Sequence, residues 1–152
     1  MPAALTDTKS GSGLLAYALL LAVAPATAKP ASIDPFTSDG CSLFPDGTVE
    51  KPELWLECCR THDLAYWHGG TYAERLQADR ALEACVTDAG EPDIALMMLA
   101  GVRVGGSAFL PTSFRWGYGW PYLRGYQPLT DSERRLVEAA LAKQARGKGE
   151  DQ

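Results

Sequence analysis

The chain has 152 residues, 46% apolar and 22% charged, proportions that suit one modest globular domain rather than a disordered tail or a repeat array. Its 14 Lys and Arg against 19 Asp and Glu give a net charge of -5, which argues against nucleic acid as a partner and against a polybasic membrane anchor. The apolar run over 14–24 extends roughly 17 Å as a helix, too short for a ~30 Å hydrocarbon core. With Lys9 before it and Ala26 and Ala28 after it, the run has the three-part layout of a secretory signal. Residues 1–28 therefore read as a signal peptide, 29–146 as one extracellular domain, and 147–152 as a disordered polar tail.

Residues 30–50, rich in Pro, Gly, Asp and Ser, read as an irregular loop. A first helix is predicted over 52–67, with Pro52 at an early helical position and Gly69-Gly70 as its stop. Trp55, Cys58, Cys59, His62 and Tyr66 share one face of it. A second helix starts behind the capping box Thr71 to Glu74 and closes at Gly90. The third, opening at Glu91-Pro92-Asp93, is apolar nearly all round and is expected to be buried, with Leu96, Met97, Met98 and Leu99 in the core. Residues 105–128 read as an ordered but irregular loop carrying Trp116, Tyr118, Trp120, Tyr122 and Tyr126. Those rings suit either packing over the helices or a belt at a lipid surface. A last amphipathic helix begins at the box Thr130 to Glu133 and buries Leu136, Val137, Ala140 and Leu141.

Cys41, Cys58, Cys59 and Cys85 all follow the signal, and an even number in a small exported domain suggests two disulfides. Adjacent Cys58 and Cys59 do not readily bond each other, so one reaches Cys41 and the other Cys85. A competing reading makes Cys58, Cys59, His62 and Cys85 zinc ligands, which requires reduced thiols.

Adjacent helical residues diverge by about 100°, so His62 and Asp63 must serve different neighbours. If Cys58 is bonded to Cys85, the second helix lies alongside the first and brings Asp79 near His62. A carboxylate on one imidazole nitrogen fixes the tautomer and leaves the other nitrogen as a base. Asp63 then faces the preceding loop, where Asp39, Gly40, Ser42 and Asp46 supply hard oxygen donors of the kind calcium takes.

The string CCRTHDLAY, with Asp79 six residues before Cys85, resembles the pattern of the secreted phospholipase A2 family. DGCSLFPD resembles the calcium-loop segment of its prokaryotic and fungal branch, and the likeness covers about 38–85. It implies a mainly α fold, two long antiparallel disulfide-linked helices preceded by a calcium-binding loop and joined by additional helices. It further implies Cys41–Cys59 and Cys58–Cys85 disulfides, His62 as general base, Asp79 as its catalytic partner, and Tyr66 in support of the carboxylate. Asp63, Asp39 and Gly40 would hold Ca2+, and a phospholipid at a membrane or micelle surface would lose its sn-2 acyl chain to a monomeric enzyme. In the animal enzymes glycines follow the loop cysteine, whereas Ser42, Leu43 and Phe44 stand here. The rival reading is a catalytically silent scaffold whose aromatic loop holds lipid or a protein partner.

Overall fold

The computed structural model describes residues 32–150, so the signal peptide expected over 1–28 and the last two residues of the tail lie outside the described residues. The described residues are mainly helical and contain four helices and no strand. None of these helices is long and apolar enough to cross a membrane.

Helix α1 spans Leu56–His68 and starts later than Pro52 suggests. The Trp55 N–H is taken by the Asp46 carbonyl at 3.0 Å and its indole N–H by the Pro45 carbonyl at 2.6 Å. Both bonds hold residue 55 against the preceding loop, and 51–55 form turns instead of a helical first turn. The C-terminal end stops at Gly69 (φ 66°), where a Cβ would approach the Gly117 Cα to 2.8 Å.

The last carbonyls of a helix have no partner within it. Here Gly69 N–H donates to Ala65 and Gly117 N–H to Tyr66, while Gly119 N–H donates to Trp67 and the Trp120 indole to His68. The loop of 106–128 is thus the cap of α1. That role buries Trp116 and Trp120, which the lipid-belt reading had placed at a surface; only Tyr122 of the five rings is largely exposed.

Helix α2 spans Tyr72–Asp88 and begins at the expected box: the Thr71 hydroxyl accepts from Glu74 N–H, and the Glu74 carboxylate accepts from Thr71 N–H. Disulfides join Cys41 to Cys59 and Cys58 to Cys85, so the four thiols are oxidised and the zinc reading fails. Contacts between α1 and α2 run in opposite order along the chain, Cys58 with Cys85, His62 with Asp79, and Tyr66 with Arg75.

Helix α3 spans Pro92–Gly105 and packs on α2. The expectation that it is buried all round is wrong. Ala95 and Met98 are buried and Leu99 half-buried, but Leu96, Met97 and Val104 are exposed, Met97 by 59%. With α2 on one side and an open cavity on another, α3 has too few neighbours to cover an all-apolar surface. Trp55, Leu82, Val86, Ala95, Met98 and the two adjacent cysteines form the principal core, each large aliphatic contributing about 1.5–3 kcal/mol by leaving water.

Helix α4 spans Asp131–Glu150, so the stretch expected to be a disordered tail is helical as far as it is described. No proline interrupts it, and two glycines cost only about 1 kcal/mol each. Its Leu136, Val137, Ala140 and Leu141 are half-buried, and the Arg124 guanidinium grips Glu133 near its N-terminal end.

Candidate functional site

Four residues apart on α1, His62 and Tyr66 project toward α2, and both are buried. The His62 Nε2 lies 3.1 Å from Asp79 Oδ1, and the Tyr66 hydroxyl donates to the same oxygen at 2.7 Å. The imidazole leans on the Tyr66 ring with centroids 4.2 Å apart, and Trp116 meets that ring edge-on. Burial pushes the Tyr66 phenol well above its ordinary range, so it remains a donor across physiological pH. The Nε2 bond leaves Nδ1 as the ring nitrogen without a protein hydrogen-bond partner among the described residues.

Asp79 is wholly buried. Its Oδ2 lies 2.7 Å from Arg103 Nε and 3.9 Å from Arg75 Nε. Arg75 donates to the Tyr66 and Tyr126 hydroxyls and to the carbonyls of Val102 and Arg103. Sequence reasoning missed both arginines. Arg75 carries a visible signal, since it stands one helical turn before Asp79 on α2. Arg103 carries none, because it comes from the next helix and no spacing rule links it to the His-Asp motif.

Asp63, one position beyond His62, turns toward the loop as its angular offset requires. It is half-buried and accepts from the Ser38 hydroxyl at 2.7 Å. Burial pushes its carboxyl up to about 6; the Ser38 bond and His62 oppose the rise, and the neighbouring Asp39 and Asp46 add to it. A half-buried carboxylate among like charges is the electrostatic setting a cation relieves.

The loop departs from a simple ring of side-chain ligands. Asp39 accepts from the Ser42 hydroxyl at 3.0 Å, while Asp46 accepts from the Cys41 N–H at 2.8 Å beneath the loop. Gly40 is buried at φ 79°, and a Cβ there would collide with the Asp46 carboxylate. Ser42 also has a left-handed backbone, φ 55°, at a place where glycine carries no such strain. Its bond to Asp39 is a local compensation of the type short polar residues make.

Among the described residues no group of three or more His, Cys, Asp and Glu side chains gathers where it could hold a metal ion. Beyond Asp63 and at most one further carboxylate, a cation there would therefore draw on backbone carbonyls, Gly40 among them, and on water. Such a donor set is all oxygen and fits a hard ion.

These pieces meet at a cavity of about 450 Å³ that Gly40, His62, Asp63 and Tyr66 line together. Apart from Ser42, its remaining wall is largely apolar, with Leu82 from α2, Met98 and Val102 from α3, and Phe114. Leu43, 92% exposed, and Met97 stand on the wall and reach solvent. Asp39 does not line the cavity and Asp79 sits behind its wall, reached through His62. No family model matches the chain, and no curated protein or solved structure matches it.

Proposed function

We propose that the chain is a secreted, calcium-dependent, phospholipase A2-like hydrolase that cleaves the sn-2 ester of glycerophospholipids at a membrane or micelle surface. The observation that carries the reading is the cavity itself. An imidazole braced on one nitrogen by a buried carboxylate opens into an apolar chamber whose rim bears Asp63 and Gly40. The loop, followed by α1 and α2 as an antiparallel disulfide-linked pair, is the scaffold the proposal requires. Two disulfides and the lack of a membrane-spanning helix among the described residues are consistent with an exported protein.

In this mechanism the acyl chain lies along Leu82, Met98 and Val102, which brings its ester to His62. The imidazole Nδ1 takes a proton from a water as that water's oxygen bonds to the ester carbon. Asp79 holds the ring by Nε2 and stabilises the imidazolium that forms. The ester C–O bond then breaks, and the proton passes from Nδ1 to the departing alkoxide oxygen, giving a fatty acid and a lysophospholipid. Asp63, with Asp39 and the Gly40 carbonyl, would hold calcium, which when bound supplies positive charge to the developing oxyanion.

The test is fatty-acid release from phosphatidylcholine by the purified protein, in millimolar-range calcium and then in chelator, the concentration that weak extracellular sites require. The expected result is calcium-dependent release that His62→Gln abolishes while the fold is retained. Absence of release from a folded, disulfide-bonded protein would return the weight to the silent scaffold.

A further inference from the structure

Asp79 offers two carboxylate oxygens, and the residues that meet them come from three helices. On Oδ1 converge the His62 ring and the Tyr66 hydroxyl, both from α1. On the other side, Oδ2 has no aligned hydrogen bond in its buried position, and its nearest cation is the Arg103 guanidinium of α3 at 2.7 Å. Arg75 of α2 is 3.9 Å away, with its donors committed to two phenols and two backbone carbonyls. None of these four bonds reaches Oδ2, so Arg103 is the cation in contact with it.

We propose that Arg103 is a positioning residue of the hydrolytic site, pinning Oδ2 of Asp79 so that Oδ1 stays aimed at His62 Nε2; this rests on the hydrolase reading above. Rotation of the carboxylate about its Cβ–Cγ bond is the motion to be prevented: a half turn only exchanges two equivalent oxygens, but a partial turn takes the acceptor out of line with the imidazole. Arg103 opposes it by ion pairing to one oxygen only. The guanidinium is itself fixed, donating from Nη2 to the Leu76 carbonyl of α2 at 3.2 Å. Its backbone is fixed as well, since Arg75 donates to the carbonyls of residues 102 and 103. Arg75 thus holds the end of α3 in the place from which Arg103 acts, and Tyr126 of the aromatic loop holds Arg75. The His-Asp pair depends in this way on a helix and a loop outside the two-helix motif.

The test uses Arg103→Gln and Arg103→Lys in the purified disulfide-bonded protein, with two readouts. In hydrolysis of phosphatidylcholine micelles with calcium, Arg103→Gln is expected to lower kcat about 100-fold, the size of loss that slight misplacement of a catalytic group causes, with KM within twofold of wild type. Arg103→Lys, which returns the charge without the planar fork, is expected to recover about tenfold of that loss. The second readout needs no turnover: the hydrogen-bonded Nε2 proton of His62, observed by NMR, is expected in the wild type, lost in Arg103→Gln and partly restored in Arg103→Lys.

Wild-type kcat in Arg103→Gln, or a rise in KM alone, overturns the proposal, as does an Nε2 proton signal that Arg103→Gln leaves unchanged. If Arg103→Gln does not fold, Arg103→Lys decides: a lower kcat and a weakened proton signal support the role, and wild-type values for both overturn it. If the wild-type protein releases no fatty acid, the hydrolase reading fails by itself, and the proton signal still decides whether Arg103 orients the His-Asp pair.

Discussion

Two parts of this molecule lack regular structure yet hold it in place by opposite means. The loop before α1 is fastened by a covalent bond, Cys41–Cys59, and the helices behind it by Cys58–Cys85. The aromatic segment of 106–128 has no cysteine and is fastened by donors aimed at the open end of α1. Trp120 donates to the His68 carbonyl and Trp116 to the Gly70 carbonyl, while the backbone of Gly117 and Gly119 closes on Tyr66 and Trp67. The first mode restricts the unfolded chain, and the second acts only once the native fold is formed. Both act on α1: Tyr66, which braces Asp79, is packed against Trp116 and lies two turns of helix from Cys58.

Removing one fastening of each type makes the comparison quantitative. Trp116→Ala is expected to have the largest effect, a loss of about 3–5 kcal/mol, since it empties a fully enclosed ring site beside Tyr66. Urea unfolding monitored by circular dichroism measures it. Trp116→Phe retains a smaller aromatic ring beside Tyr66 while the Gly70 carbonyl loses its donor, for about 1–3 kcal/mol, and so is expected to cost less than the alanine. The paired change Cys58→Ala with Cys85→Ala opens a loop of 27 residues and is expected to lose about 3–4 kcal/mol. If the cysteine pair proves far more damaging than Trp116→Ala, the aromatic segment is a lid on a self-sufficient disulfide framework and not a fastening of comparable strength.

What the sequence exposes follows the same division. Helical spacing places Cys58, His62 and Tyr66 on one face, and a capping box fixes the start of α2. Once the disulfide is made, His62 and Asp79 have little choice but to meet. These are short-range constraints with fixed periods. The aromatic segment obeys no period, so its irregularity is legible but its burial is not. Whether Trp120 faces lipid or His68 depends on the orphan carbonyls of a helix more than 50 residues earlier. Arg103 is hidden for the same reason, and α3 misleads because its apolar surface is divided among the core, the cavity and solvent. Ser42 takes a left-handed backbone angle that favours glycine, tolerated through its bond to Asp39.

A smaller effect is expected where the aromatic segment meets α4. Arg124 donates from Nε and Nη2 to the two oxygens of Glu133, and that grip pulls the Glu133 carboxyl down to about 2. Its folded value is below its ordinary one, so its contribution is present above about pH 4.5 and is lost as pH falls through about 2. Glu133→Gln should cost about 1–2 kcal/mol at pH 7. Near pH 2 the variant and the wild type should converge in thermal midpoint. A gap that stays constant across that range would mean the glutamate acts by shape and not by charge.

The smallest effect, and the one that tests the covalently tethered loop, has the opposite sign. Asp63 has its folded value raised to about 6 from an ordinary 3.8, so in metal-free protein the folded state holds the proton more tightly than the unfolded chain. Below about 3.8 both states are protonated and Asp63 contributes nothing to the pH dependence. As pH rises through about 6 the folded state must carry an ionised, half-buried carboxylate near Asp39 and Asp46, and stability falls. Asp63→Asn removes that charge. In chelator at pH 7 the variant should therefore melt slightly above the wild type, and near pH 4 the two should coincide. Calcium should reverse the order at pH 7, because a ligand that binds only the folded state stabilises it, and the asparagine would bind that ligand more weakly. A variant that melts below the wild type in chelator at pH 7 would show that the Ser38 bond, rather than the charge, dominates at Asp63. An order that calcium does not reverse would place any calcium site away from this carboxylate.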